Sequence, residues 1–275
     1  MKFGVLQFPG SCDEVDALYA ARRVGDAELL WHGERDLRGV DAIVVPGGFS
    51  YGDYLRAGAI ARFSPVMDSV ISFANDGGLV LGICNGFQVL CEARLLPGAL
   101  LPNANLRFTF RQVELEVVEG ETAFTCACGS GGGLSAHPSH SSMGGPPTLS
   151  IPAKHSWGRY YAEESTLATL EESGRVVLRY APGENFNGSL NDIAGVRNER
   201  GNVFGLMPHP EHAVDELTGS ADGLCIFASM RLAVKRWSKP PQRAPPRSEG
   251  GYATSTAAPA GKYSRLAATV REIAR

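Results

Sequence analysis

The sequence predicts an α/β fold, an open and mostly parallel sheet flanked by helices. Short apolar runs alternate with amphipathic stretches over residues 1–125, and two of those runs end in glycine-rich turns. The third indication is bulk: 275 residues, 44% hydrophobic and 20% charged, can bury a core without disulfide or metal staples.

In chain order, Lys2–Gln7, Glu28–Trp31, Ala42–Val45 and Leu79–Ile83 have the short apolar pattern of strands. Between them, Asp13–Arg23 opens with acidic residues and carries Val15, Leu18 and Tyr19 on one stripe, while Pro65–Ala74 carries Val66, Val70, Ile71 and Phe73. Both have the form of crossover helices. From 126 to 148, Gly, Ser and Pro supply 14 of 23 residues and no charge is present, which predicts a flexible surface insert that interrupts the domain without ending it. Strand patterns resume at Thr148–Ile151, Val176–Tyr180, Ile193–Val196 and Val203–Met207, and Asp222–Lys235 forms a last amphipathic helix. One domain is therefore expected over residues 1–237. Residues 238–275 begin with a run holding five prolines, the composition of a disordered tail, and end in Tyr263–Arg275, where Leu266, Val270 and Ile273 share one helical face.

Charge and cysteine usage narrow the function. Lys and Arg number 26 against 29 Asp and Glu, a net charge of −3, so no global basic field argues for nucleic acid. No run approaches the ~18 apolar residues of a membrane span, and Gln7 and Pro9 interrupt the first apolar run, which therefore lacks the core of a signal peptide. The six cysteines are unevenly spread, and the expectation is a cytoplasmic protein with reduced thiols.

The strongest chemical signal is LVLGICNGFQVL at 79–90, an apolar strand that runs through Gly82-Ile83-Cys84-Asn85-Gly86 into a helix beginning near Phe87. Glycines two residues either side of Cys84 allow a sharp strand-to-helix turn that lifts the side chain clear, as in the elbow of serine hydrolases. A thiol there also meets the positive end of the helix dipole, which favours an anion. Such a nucleophile needs a base. Strand Val203–Met207 ends in Pro208-His209-Pro210-Glu211, where each residue before a proline is pushed towards extended backbone. Extended residues two apart share a side, so Glu211 is placed to orient the His209 imidazole. Ala42–Val45 ends in Pro46-Gly47-Gly48, bare backbone suited to present N–H groups to an oxyanion. Three such strand ends are expected to meet at one edge of a parallel sheet.

Together these residues resemble the class I glutamine amidotransferases, whose glutaminase domains carry a G-x-C-x-G-x-Q elbow, a late H-x-E pair and an early glycine-rich loop. PGGFSYGDYLRAGAIARF at 46–63, GICNGFQVL at 82–90, NGSLNDIAGVRNERGNVFGLMPHPEHAV at 187–214 and GSADGL at 219–224 resemble, within that class, the PurQ-type glutaminase subunits of phosphoribosylformylglycinamidine synthase. The resemblance covers about residues 1–237. It implies Cys84 as nucleophile, His209 as general base, Glu211 as its orienter, the backbone N–H groups of Gly48 and Asn85 as the oxyanion hole, and Gln88 in the glutamine pocket. It further implies ammonia delivery to a separate synthetase subunit, together with a small accessory subunit. There, ATP with Mg converts formylglycinamide ribonucleotide to the formylglycinamidine in purine biosynthesis. No cofactor or metal is implied in this chain, which has no G-x-x-x-x-G-K-[ST] loop. Cys126, Cys128, His137 and His140 in the insert lack the spacing of a metal site.

Two loops depart from the family pattern: PGSCD lacks the asparagine usual after the serine, and His155-Ser156-Trp157-Gly158 stands where many relatives have His-Gly-Glu-Gly. Both are candidates for contact with the synthetase. The same chemistry also suits a stand-alone cysteine amidase, and a catalytically silent regulatory subunit is the reading from outside enzymology. Turnover with and without a synthetase separates the three.

Overall fold

The computed structural model describes residues 1–129 and 145–237, except the side chains of Arg236 and Trp237. The middle of the insert and the tail with its Tyr263–Arg275 segment lie outside the described residues. In chain order the elements are β1 (Lys2–Gln7), α1 (Glu14–Arg22), β2 (Asp26–Trp31), β3 (Ala42–Val45), α2 (Pro65–Asn75), β4 (Leu79–Ile83), α3 (Asn85–Glu92), β5 (Ala99–Leu101), β6 (Thr109–Val117), β7 (Thr148–His155), β8 (Arg159–Tyr161), α4 (Glu164–Glu172), β9 (Val176–Tyr180), β10 (Ile193–Arg197), β11 (Val203–Leu206) and α5 (Leu224–Trp237).

Nine strands form one sheet in the order β2-β1-β3-β4-β11-β10-β9-β6-β7, and β5 pairs with β8 separately. From β2 to β11 every pairing is parallel; from β11 to β7 every pairing is antiparallel. The parallel half positions the site. β3, β4 and β11 lie side by side with Val45 opposite Gly82 and Ile83 opposite Leu206, so their carboxyl ends finish at one edge. All residues of these three strands are buried, which explains why they read as unbroken apolar runs without alternation. α3 covers them, with Phe87 fully buried and stacked on Tyr160 at 6.0 Å between ring centroids. A ring placed so contributes about 1.5–3 kcal/mol by leaving water.

α1 corrects its sequence reading. Leu18 is buried, but Val15 is 62% and Tyr19 51% exposed, and the packed face is made by Ala17, Ala20 and Ala21. Alanines let the helix lie close on β1 and β2, so small side chains rather than the largest apolar ones mark the inner face. Pro65 starts α2 in the first helical turn, where the missing N–H costs nothing. The sequence reading did not include β5, β6, β8 and α4. In β6, Val113, Leu115 and Val117 are buried and alternate with Gln112, Glu114 and Glu116, a period-two signal within its nine residues.

Two further corrections concern cysteines and the insert. Cys128 and Cys225 form a disulfide, against the expectation of reduced thiols throughout. The first residues of the insert pack instead of forming a surface loop: Ala127 and Cys128 are buried, and the Ala127 N–H donates to Ser229 Oγ at 2.9 Å. Just before them, fully buried Phe124 packs on Phe204. This bond ties the segment after β6 to α5 across 97 positions. Removing it by Cys225→Ser is expected to cost about 2–4 kcal/mol, seen as a lower Tm. Thiol titration of the unreduced, denatured wild-type protein should find four reactive cysteines, Cys12, Cys84, Cys91 and Cys126. Six titratable thiols, or an unchanged Tm, would remove the clamp.

Candidate active site

The polypeptide between β4 and α3 turns at Cys84 with φ 50° and ψ −105°, left-handed backbone that a side-chain-bearing residue adopts at a cost of about 1–3 kcal/mol. Neighbouring structure holds it there. The Cys84 N–H donates to Leu206 O of β11 at 2.8 Å, and the Gln88 N–H to Cys84 O at 3.2 Å. A Cβ at position 86 would lie 1.9 Å from Val45 O of β3, so only glycine lets α3 start this close to the sheet. The Cys84 side chain is 6% exposed and borders a cavity of about 190 Å³. That volume is below the roughly 300–1,000 Å³ of drug-sized sites, a scale for a single small substrate.

β11 delivers His209 to the same cavity. Its N–H donates to Pro152 O at 2.8 Å, and its ring is fully buried, with Nδ1–H donating to Glu211 Oε1 at 2.7 Å. The local conformation differs from the extended one expected: Pro210–His212 is a single 3-10 turn, closed by the His212 N–H on His209 O. The turn achieves the same juxtaposition by folding Glu211 back under the ring. Burial works to lower the His209 pKa, but the charges of Glu211 and Cys84 outweigh it and push it up to about 10. The ring is therefore an imidazolium at neutral pH. Its buried Nε2 lies on the Cys84 side of the ring, away from Glu211, which leaves that edge for a reacting group.

Gly48 lines the cavity opposite the elbow. It pairs with Ser11 through bonds made by the flanking residues, Cys12 N–H to Gly47 O and Phe49 N–H to Gly10 O, so the Gly48 N–H is not consumed by the pairing. Asn85 is the first residue of α3, where backbone N–H groups have no partner within a helix. Its side chain fastens the loop after β3 to the first turn of α3: Oδ1 accepts from Ser50 N–H at 3.1 Å and Ser50 Oγ at 2.5 Å, while Nδ2 donates to Asp53 Oδ1 at 3.1 Å and Gln88 Oε1 at 2.8 Å. Gln88 in turn donates to Trp157 O at 2.6 Å. Gln88 thus lines the cavity as a fixed wall, with both ends of its amide engaged.

All six residues singled out in the sequence line or frame this one sheet edge. Sequence reasoning gives no pocket role to Asp13, Asp53, Lys154 and His155, which share the cavity; Asp13 and His155 enter it only within loops offered as synthetase contacts. Burial pushes the Asp53 carboxyl up to about 6, only partly offset by the Asn85 amide. His155 is held neutral, its pKa lowered to about 3 by burial and then by the His209 charge, with Nδ1–H on Asn103 Oδ1 at 3.0 Å. Asp13, His209, Glu211 and His212 bring potential ligand atoms within 4.8 Å of one another. Lys154 Nζ also bonds Asp13 Oδ1, so the cluster is a set of compensated charges in which a divalent ion would face an ammonium.

A cysteine on a strand-to-helix elbow, a buried His-Glu pair and a glycine loop at the carboxyl edge of a parallel sheet define a glutamine amidotransferase. The family model for the CobB/CobQ-like glutamine amidotransferase domain matches residues 1–223. Phosphoribosylformylglycinamidine synthase subunit PurQ of Rubrobacter xylanophilus is 53% identical over 236 residues, 86% of this chain and all of that one. Its counterpart from Mycobacterium tuberculosis is 55% identical over 235 residues, 85% of this chain and 97% of that one. Among solved structures, PurLQS from Thermotoga maritima includes a chain that superposes with a TM-score of 0.72 at 38% identity, covering 85% of this chain and 98% of that one. The chain belongs to the PurQ family of phosphoribosylformylglycinamidine synthase subunits.

Proposed function

We propose that this chain is the glutaminase subunit that hydrolyses glutamine and supplies ammonia to a synthetase converting formylglycinamide ribonucleotide to formylglycinamidine ribonucleotide. The observation that carries the reading is the buried His209-Glu211 pair, 2.7 Å apart, on the same small cavity as Cys84. In the mechanism, the Cys84 thiolate attacks the side-chain carboxamide carbon. The N–H groups of Gly48 and Asn85 hold the resulting oxyanion. The His209 imidazolium, steadied by Glu211, gives its proton to the leaving nitrogen, and ammonia departs from a γ-glutamyl thioester. His209 then takes a proton from water, which attacks the thioester, releases glutamate and restores the thiolate. Gln88 shapes the pocket wall against which the substrate side chain lies.

The partners in this reading are the synthetase subunit, where ATP with Mg drives the second step, and a small accessory subunit; the solved relative is itself a PurLQS assembly. No helix among the described residues is long and apolar enough to cross a membrane. A cytoplasmic setting follows from the reaction proposed. There thiol pools reduce accessible disulfides, but Cys128 and Cys225 are both buried, which shields their bond.

Glutamate release measured with and without the synthetase and small subunit tests the function. Low turnover alone that rises on assembly is expected. Full turnover without partners would make the chain a stand-alone amidase, and none in either state would make it a silent subunit.

A further inference from the structure

A second carboxylate stands at the imidazole, and the mechanism above gives it no task. Asp13 sits in the turn between β1 and α1 with its side chain 4% exposed and Oδ2 3.6 Å from His209 Nδ1, the nitrogen that Glu211 also holds. A carboxylate this buried is costly unless it is compensated. Two side chains from separate elements compensate it: the Lys154 ammonium of β7 donates from Nζ to Oδ1 at 2.5 Å, and His212 Nε2 lies 3.2 Å from the same oxygen and 3.8 Å from Glu211 Oε1. The glycine loop leaves room for this contact, since a Cβ at position 47 would come within 2.3 Å of Asp13 Oδ2 and 2.8 Å of His209 Cε1.

We propose, on the reading of His209 as the acid and base of glutamine hydrolysis, that Asp13 is a positioning residue that brackets His209 Nδ1 together with Glu211, while Lys154 and His212 fix Asp13 as an anion. Opposite charge beside a titrating group favours its charged form, and like charge disfavours it. Asp13 therefore steadies the imidazolium, and the Lys154 ammonium, which also faces Glu211 and Cys84, limits that effect. Burial works against the Asp13 anion, but the His212 bond, the His209 charge and Lys154 together hold its carboxyl well below the usual range. The other titratable neighbours are His155, which burial and then the His209 charge hold neutral, and the exposed Cys12 thiol, which its own partial burial and the Asp13 charge keep from ionising.

The test uses the assembled complex, with glutamine-dependent kcat followed against pH and ammonia-dependent synthesis as the control on folding and assembly. Asp13→Asn is expected to lower kcat about 10- to 100-fold with KM within about threefold. It should also move the basic limb of the profile about one unit to lower pH, because the imidazolium loses one of its two counter-charges. Lys154→Met is expected to move the same limb the other way. Limbs that stay put, or that move in the same direction in both variants, overturn the proposal. If Asp13→Asn also loses ammonia-dependent synthesis, Lys154→Met decides alone, and a limb unmoved or lowered there overturns it. Wild-type glutamine turnover in His209→Ala would instead sink the reading of His209 itself, which keeps the two failures apart.

Discussion

Replacing Cys84 with Ala is expected to abolish glutamine-dependent synthesis by the assembled complex, at least about a 10⁴-fold loss, while synthesis from added ammonia persists. The nucleophile serves only ammonia release, and the substitution removes one sulfur from a backbone turn held by Leu206 and Gln88 rather than by the thiol. Equal loss of both activities would show that Cys84 supports the fold or the subunit contact. An electrophilic glutamine analogue should label Cys84 ahead of the other free cysteines. Burial pushes the Cys91 thiol far up, and Cys12, though exposed, is raised by its own partial burial and the Asp13 charge. Preferential labelling of Cys12 or Cys126 would count against the assignment.

The second large effect is expected at Glu211, which holds His209 and does not react. Glu211→Gln keeps the shape and an acceptor but removes the charge that opposes the cost of burying the imidazolium. Loss of an orienting carboxylate costs up to roughly 10⁴-fold in turnover in related triads, and a smaller loss is expected here because the imidazolium retains Asp13 at 3.6 Å. Removing that charge lowers the His209 pKa, so the basic limb of the rate profile should shift to lower pH. Alkylation of Cys84 should slow only modestly. Stopped-flow measurement of glutamate release across pH, beside alkylation rates, checks both; unchanged turnover would leave a Cys-His dyad.

What could be read from the sequence was whatever the chain writes locally. The elbow around Cys84, the glycines after β3 and the histidine two residues before Glu211 are each contained in a few consecutive positions, and strand ends of a parallel sheet converge on one edge. Gly48, Asn85 and Gln88 came from the family resemblance that those segments carry. Asp13, Lys154 and His212 have no such signature: they meet only because β1, β7 and the turn after β11 converge, and each reads alone as an ordinary surface charge. The α1 stripe misled because Val15 and Tyr19 dominate its apolar content, whereas close packing on the sheet selects Ala17, Ala20 and Ala21. The disulfide was hidden for the same reason as the Asp13 cluster, since its two cysteines lie 97 positions apart and nothing local pairs them.

That bond also divides the chain topologically. It closes a covalent ring from Cys128 to Cys225 that contains β7 to β11, with His209 and Glu211, while Cys84 and the helices α1 to α3 hang outside it. A single peptide cleavage anywhere inside the ring leaves both fragments joined, so the acid-base pair and the thiol stay on one molecule. Cleavage between Cys84 and Cys128 leaves no covalent link between them. The protein's resistance to a nick is thus uneven along its sequence, and the stretch whose cleavage parts the thiol from the acid-base pair runs from α3 through β6 to Cys128.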